Sequence, residues 1–443
     1  APGRVGVRAG PGVIRPSPPV AFDIPLLQPL RIREFRLFWG AMVISLVGDQ
    51  LMFIAMPWLV LKLTGDSLAV VGVLAIAAIP RAVFMLVGGA VTDRWSPRIV
   101  LTVSNAARMV LVLTIGTLVY AGAINMWQIY TVALFFGLVD AFMFPASAAF
   151  PPRLLEGEML VAGNSLIQGT SSASAIVGPA LAGVIIAFVA GDEGAFGDQY
   201  GLATAFLLGG VTFLAPVAVY LIIRDRFPPE TEPRGERFID TLLDGFRHAW
   251  TDRPVRYLTF MIAGLSIVFR GPFIVGIPVF ADQYLAQGAA AYGTIMAASG
   301  VGMLLGTILA GSFKRPPDTW LGSILLVDFG IYGLVFVGIT LTTQLVAICA
   351  MIFVASIVDG YLTIVLITWL QLRVPRERLG RIMSVIMFFN LGLLPLSAAG
   401  AGWLMRIDLL ALLFGAGILM WSISLLGLFV RPLRRMGYDR AVT

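Results

Sequence analysis

Asp140 stands inside the run LFFGLVDAFMFPASAAF, which is otherwise apolar enough for the interior of a lipid bilayer. A carboxylate at the centre of a bilayer costs about 2.5–3.5 kcal/mol even on permissive scales, so an opposite charge, water or a ligand must offset it. The same difficulty recurs at Asp49, Arg81, Arg108, Arg270, Asp328 and Asp359, each near the middle of an apolar run. Seven such groups facing hydrocarbon, at about 3 kcal/mol each, would cost about 20 kcal/mol. That exceeds the roughly 5–15 kcal/mol by which a domain is stable. These side chains must pair, face water, or both, and all seven are candidate substrate- or proton-binding residues. In the first half of the chain, Asp49 and Asp140 balance Arg81 and Arg108; in the second, Asp328 and Asp359 exceed Arg270 by one. An unmatched buried carboxylate can hold a proton. The competing reading is that buried Arg–Asp pairs merely fix helix packing, and for Arg108 and Asp328 it stays open.

The elements that must position these residues are membrane spans. The chain of 443 residues is 58% hydrophobic and 13% charged, with mean hydropathy +0.90, whereas soluble domains carry about 25% charged residues. A spanning helix needs roughly 20 apolar residues. Twelve runs qualify: 38–61, 67–91, 99–120, 127–150, 161–189, 202–223, 255–280, 290–313, 320–340, 345–372, 379–404 and 409–430. The net charge of +6 gathers in short clusters between runs (RIREFR, DRWSPR, FKRPP, RVPRERLGR, RPLRR). That is a topology signal rather than a nucleic-acid surface. On the opposite side the only basic residues are Lys62 and Arg406, so both termini are expected in the cytoplasm, with the protein integral to the cytoplasmic membrane. Cys349 and His248 are the single cysteine and histidine, which excludes an internal disulfide and a multi-histidine metal site. No cofactor or metal is expected. Residues 1–36, without the apolar core of a signal peptide, read as a cytoplasmic tail. Residues 37–223 form a first six-helix bundle, 224–254 a cytoplasmic linker with a surface helix carrying His248, 255–430 a second bundle, and 431–443 a cytoplasmic tail. His248 reads as solvated rather than pH-sensing.

Six spans, a linker and six more suggest a duplication. LVDAFMFPASAAFPPRL in the fourth span resembles IVDGYLTIVLITWLQLRVP in the tenth, placing Asp140 against Asp359. Nearly the same offset in numbering carries Arg108 to Asp328 and Asp49 to Arg270.

At this point the chain resembles the major facilitator superfamily. GGAVTDRWSPRIVL is similar to that superfamily's loop between its second and third spans, through Gly89, Asp93, Arg94 and Arg98; Ser96 stands where a glycine is usual and Pro97 where a basic residue is usual. SAIVGPALAG, with Gly178, Pro179 and Gly183, resembles the antiporters' Gly-Pro motif, although plain close packing of small residues explains it equally well. FRLFWGAMVISLVGDQLMFIAMPWLVLKLTG, FPASAAFPPRLLEGEMLVAGNSL and LGRIMSV resemble the twelve-span drug–proton antiporter branch that includes macrolide and siderophore exporters. Asn105 replaces an aspartate common there. The resemblance implies an all-α integral membrane protein of twelve transmembrane helices in two pseudo-symmetric six-helix bundles, with spans one, four, seven and ten lining a central cavity. Asp49, Asp140, Arg270 and Asp359 occupy those four spans. It also implies that Asp93, with Arg94 and Arg98, latches the cytoplasmic face near the start of span eleven.

The function expected is secondary active transport by alternating access: export of an amphiphilic, drug-like or siderophore-like molecule by a monomer, coupled to protons through Asp140 and Asp359. Phe142, Met143, Phe144, Met387, Phe388 and Phe389 are candidate apolar contacts for that molecule, although such residues are more often ordinary packing. The expected partners are the small-molecule substrate, protons and membrane lipids, not nucleic acid. A lipid or lysolipid flippase of the same fold is the alternative. A membrane-embedded enzyme or receptor is a third reading; against an enzyme stands the absence of nucleophile–base, metal-ligand and phosphate-loop motifs.

Overall fold

The computed structural model describes residues 25–190, 199–224, 250–287, 289–317, 320–376 and 378–429, with only the backbone at 67–68, 71, 175–190 and 289–290. Both tails and most of the linker, including His248 and its expected surface helix, lie outside the described residues.

Among the described residues the apolar runs form twelve long helices. They are α1 (Arg33–Thr64), α2 (Ser67–Trp95), α3 (Pro97–Tyr120), α4 (Met126–Ala149), α5 (Gly157–Ala190), α6 (Gln199–Ile222), α7 (Arg253–Tyr284), α8 (Ala289–Ser312), α9 (Leu321–Leu341), α10 (Leu345–Arg373), α11 (Leu379–Met405) and α12 (Leu409–Phe429). Eleven of them are long and apolar enough to cross a membrane; α5 runs for 34 residues. Backbone groups in hydrocarbon have no water to bond, so the helical ladder is the conformation an apolar run of this length adopts there. Several helices outrun the apolar runs: α1 starts at Arg33 rather than 38, because the ladder continues into the polar boundary. α6 is interrupted by a turn at Phe213. The outer surface is inverted relative to a soluble protein, with Phe53, Trp127, Leu221 and Leu426 about two-thirds exposed.

The packing repeats with a period of six helices. α2 lies along α4, α3 along α6, and α1 against α5 and α6; correspondingly α8 lies along α10, α9 along α12, and α7 against α11 and α12. Between the bundles α2 meets α11 and α5 meets α8, a pairing that exchanges the two halves. The even number of spans puts the start of α1 and the end of α12 on one face, called the terminus face below. Near it Phe38, Phe150 and Tyr220 pack edge to face or tilted, with centroids 5.4–6.2 Å apart.

α7 departs from regular geometry. Ser266–Arg270 and Pro272–Gly276 are π-helical turns, as is Phe388–Gly392 in α11. Ser397 of α11 ties the two helices together: its Oγ accepts from Gly271 N at 2.9 Å and donates to Ile267 O at 2.6 Å. Gly271 permits this approach, since a Cβ there would overlap the Ser397 backbone.

Candidate functional site

In the first bundle the four mid-span charges form one network. Arg108 sits at its centre, 4% exposed. Its Nε donates to Asp140 Oδ1 at 3.0 Å, its Nη2 pairs with the same oxygen, and its Nη1 donates to Asp49 Oδ1 at 3.2 Å. Arg81 Nη1 reaches Asp140 Oδ2 at 3.5 Å. The guanidinium of Arg108 also lies over Phe136, 4.8 Å from the ring centroid, and near Phe213 at 5.6 Å. α1, α2, α3 and α4 each contribute one charge, and two carboxylates balance two guanidiniums. Arginine suits the centre because its planar fork can serve two carboxylates at once. Asp140 is 5% exposed, whereas the ends of the network, Asp49 and Arg81, are 30% and 35% exposed.

The second bundle gathers Arg270 (α7), Asp328 (α9) and Asp359 (α10) around Tyr332: Asp359 lies within electrostatic reach of both Arg270 and Asp328, and Tyr332 within reach of all three. Among the described residues no ion pair closes within this group. Asp328 is 1% exposed and its Oδ1 meets no hydrogen-bond donor. Tyr332 packs tilted against Phe269, with centroids 4.4 Å apart, and Ser356 Oγ lies 3.0 Å from Ser299 Oγ. Among the described residues no hydrogen bond or ion pair is seen joining this group to the Arg108 network.

The bundles meet at the terminus face. Asp93, near the end of α2, accepts from Gly380 N at 2.8 Å and Arg381 N at 3.1 Å, and pairs with Arg381 Nε at 3.1 Å. The first-turn N–H groups of a helix are unsatisfied and carry partial positive charge, so a carboxylate caps α11 from the other bundle. Gly89 and Gly380 allow the helices this close: a Cβ at Gly89 would strike Ser384 and Gly380 O, and one at Gly380 would strike the Asp93 carboxylate. Arg98 turns away, its Nη1 donating to Ile223 O at the end of α6 at 2.6 Å, and Arg94 is exposed. The cation facing Asp93 across the interface is thus Arg381, which in the sequence reads only as a topology charge and as part of LGRIMSV. Ser96, in the glycine position, holds φ at 73° and accepts from the buried Arg153 at 3.2 Å. A second polar contact crosses nearby: Asn164 Nδ2 donates to Thr368 Oγ1 at 2.9 Å and Gln371 Oε1 at 2.6 Å, and Gln371 Nε2 donates to Ala148 O at 2.7 Å.

The sequence matches the family profile of the Major Facilitator Superfamily over residues 38–397. The chain belongs to that superfamily. An uncharacterised MFS-type transporter of Mycobacterium tuberculosis is 26% identical over 265 residues, 56% of this chain and 57% of that protein. The chain thus spans little more than half the length of that relative. The multidrug efflux pump Tap of the same species is 24% identical over 352 residues, 78% of this chain and 81% of Tap. Among solved structures, a bacterial homologue of the iron transporter ferroportin in an outward-facing state has a TM-score of 0.67, covering 90% of this chain and 100% of that one at 14% identity. At that identity the likeness is one of fold.

Within this superfamily fold the remaining candidates divide. Phe142 and Met143 pack against the Phe35–Phe38–Phe150 core, and Met387 and Phe389 against the core of the second bundle. Phe144 lies 5.9 Å from the Arg81 guanidinium, and Phe388 meets Phe389 edge to face at 5.5 Å. Gly178, Pro179 and Gly183 fall in α5, where only the backbone is described. Asn164 and Gln371 escape a reading of the sequence because uncharged amides at the ends of apolar runs carry no charge signal. Tyr332 and Ser356 escape it because an aromatic or hydroxyl side chain is ordinary inside an apolar run.

Proposed function

We propose that the chain is a secondary transporter that exports an amphiphilic small molecule in exchange for protons, as a monomer, with both termini cytoplasmic. The observation that carries this reading is the Arg108 network: four charges from four helices, satisfied at the centre and partly exposed at both ends. Such a network provides anchoring charge at membrane depth without placing an unpaired ion in hydrocarbon. Alternating access would rock one bundle against the other, with the Asp93 cap on α11 and the Asn164–Gln371 contact holding the terminus face shut in the outward-facing state. Similarity to Tap supports efflux of drug-like compounds over uptake.

The test is flux in proteoliposomes under an imposed pH gradient, with ethidium as a cationic amphiphilic probe. Gradient-driven movement against the probe's own concentration difference is the expected result. Probe movement indifferent to the gradient would overturn coupling; movement of a labelled phospholipid alone would replace export by lipid flipping.

A further inference from the structure

The two bundles treat mid-membrane charge in opposite ways. At the position related by duplication to Arg108, the second bundle has Asp328. A guanidinium between two carboxylates in one half thus becomes, in the other, a carboxylate grouped with Asp359 and a single guanidinium. The first half is electroneutral and every member touches a partner. The second is one positive charge short.

Among the described residues the surroundings of Asp328 offer no other source for that charge. The charged neighbour of Asp328 is Asp359 from α10; Tyr332 of α9 itself, hydrogen-bonded to Ser356, lies within reach, and Arg270 of α7 reaches Asp359 and Tyr332. α12, which packs along α9, has no ionisable side chain between Leu409 and Phe429. An ionised carboxylate buried without a partner is heavily penalised, and the repulsion from Asp359 adds to the penalty. A divalent cation is a poor remedy, because it requires several converging oxygens, while Arg270 stands in the same group and repels it. A proton needs one oxygen, and Asp328 Oδ1 is buried without a donor.

We propose that Asp328, with Asp359 beside it, is the site that carries the exchanged proton, and that the Arg108 network is a fixed strut that does not titrate during the cycle. This rests on the proton-coupled reading above and moves the exchange away from Asp140, whose two oxygens are held by Arg108 and Arg81. A proton delivered by water on the open side forms one O–H bond on the carboxylate of Asp328; after the bundles rock, that bond breaks and the proton returns to water on the other side. Asp359, only partly buried, is the member at which water reaches the pair.

Infrared spectroscopy of the purified protein tests the site independently of transport, because a protonated carboxyl gives a carbonyl band that a carboxylate lacks. One such band should be present in the parent protein, absent from Asp328→Asn, retained in Asp328→Glu and unchanged in Asp140→Asn. In proteoliposomes, Asp328→Asn should lose pH-driven ethidium export at least tenfold while still equilibrating the dye downhill. Persistence of the band in Asp328→Asn, or undiminished pH-driven export by that variant, overturns the proposal. Export driven by a sodium gradient at constant pH overturns it as well. Loss of the band in Asp328→Asn together with no pH-driven flux in the parent protein leaves the protonated site standing and removes the transport reading instead. Downhill equilibration of the dye by Asp328→Asn shows that its loss of the band is not misfolding, and retention of the band by Asp328→Glu ties the band to a carboxyl at this position.

Discussion

Arg108 binds Asp49 and Asp140 through separate nitrogens, so its removal leaves two buried or half-buried carboxylates without their main partner. Arg108→Ala is expected to destabilise the fold by about 3–5 kcal/mol, the usual penalty for breaking a buried pair from one side. Thermal unfolding of detergent-purified protein, followed by monodispersity, measures it. Arg108→Lys should recover little, because one ammonium cannot reproduce a fork that reaches two carboxylates. Which residues carry charge at membrane depth is legible from sequence, since an ionisable residue in an apolar run is conspicuous. Which of them touch is not: the contact of Arg108 with Asp49 spans 59 residues and depends on helix packing. Arg381 shows the same limit, because a basic residue next to a span looks like a topology signal until its partner, 288 residues earlier, is placed beside it.

Helices are the most legible level, because hydrophobic length alone sets where a chain can cross a bilayer. The pairing that brings α2 onto α11 depends instead on absent side chains. Gly89→Val should place a branched side chain where Ser384 and Gly380 now lie, and thereby hold the terminus face open. Gly40→Ala, with nothing within 4 Å of the added carbon, is the matched control and should change nothing. The readout is maleimide labelling of a cysteine introduced at Ser384 in a Cys349→Ser background, which should rise only for the first variant. The π-helical turns are invisible in the sequence, and one bears on the duplication. The interval from Asp49 to Arg270 is one residue longer than the interval from Arg33 to Arg253, where α1 and α7 start. The π turn ending at Arg270 takes up that extra residue, which keeps the arginine level with its counterpart. Deleting a single residue within 266–269 should therefore convert the π turn to regular α-helix without swinging Arg270 around its axis, leaving transport and the thermal unfolding temperature close to those of the parent. The same deletion in a regular stretch of α7 should instead turn Arg270 by about 100° and abolish transport.

At the scale of the whole molecule, polar contacts named between the bundles hold the terminus face shut. Gln371→Leu keeps the volume but leaves Asn164 Nδ2 one acceptor short and Ala148 O without its donor. A buried polar group left unsatisfied costs about 1–3 kcal/mol, so the balance between states should move about 5- to 150-fold toward opening of that face. Spin labels at Glu156 and Arg376, which face each other across the interface at 2.9 Å, should report a longer distance in the variant. Their own ion pair is exposed and contributes about 0–1 kcal/mol, so replacing it does not mask the effect. The unequal charge of the two halves has an electrical consequence. If the proton on the second bundle enters from one side and leaves on the other while a neutral cargo moves the opposite way, each turnover carries one elementary charge through the field. That is about 2.3 kcal/mol of work for every 100 mV. An inside-negative voltage, with pH equal on both sides, should then be enough to drive a neutral compound outward, and the protein would behave as a measurable current source.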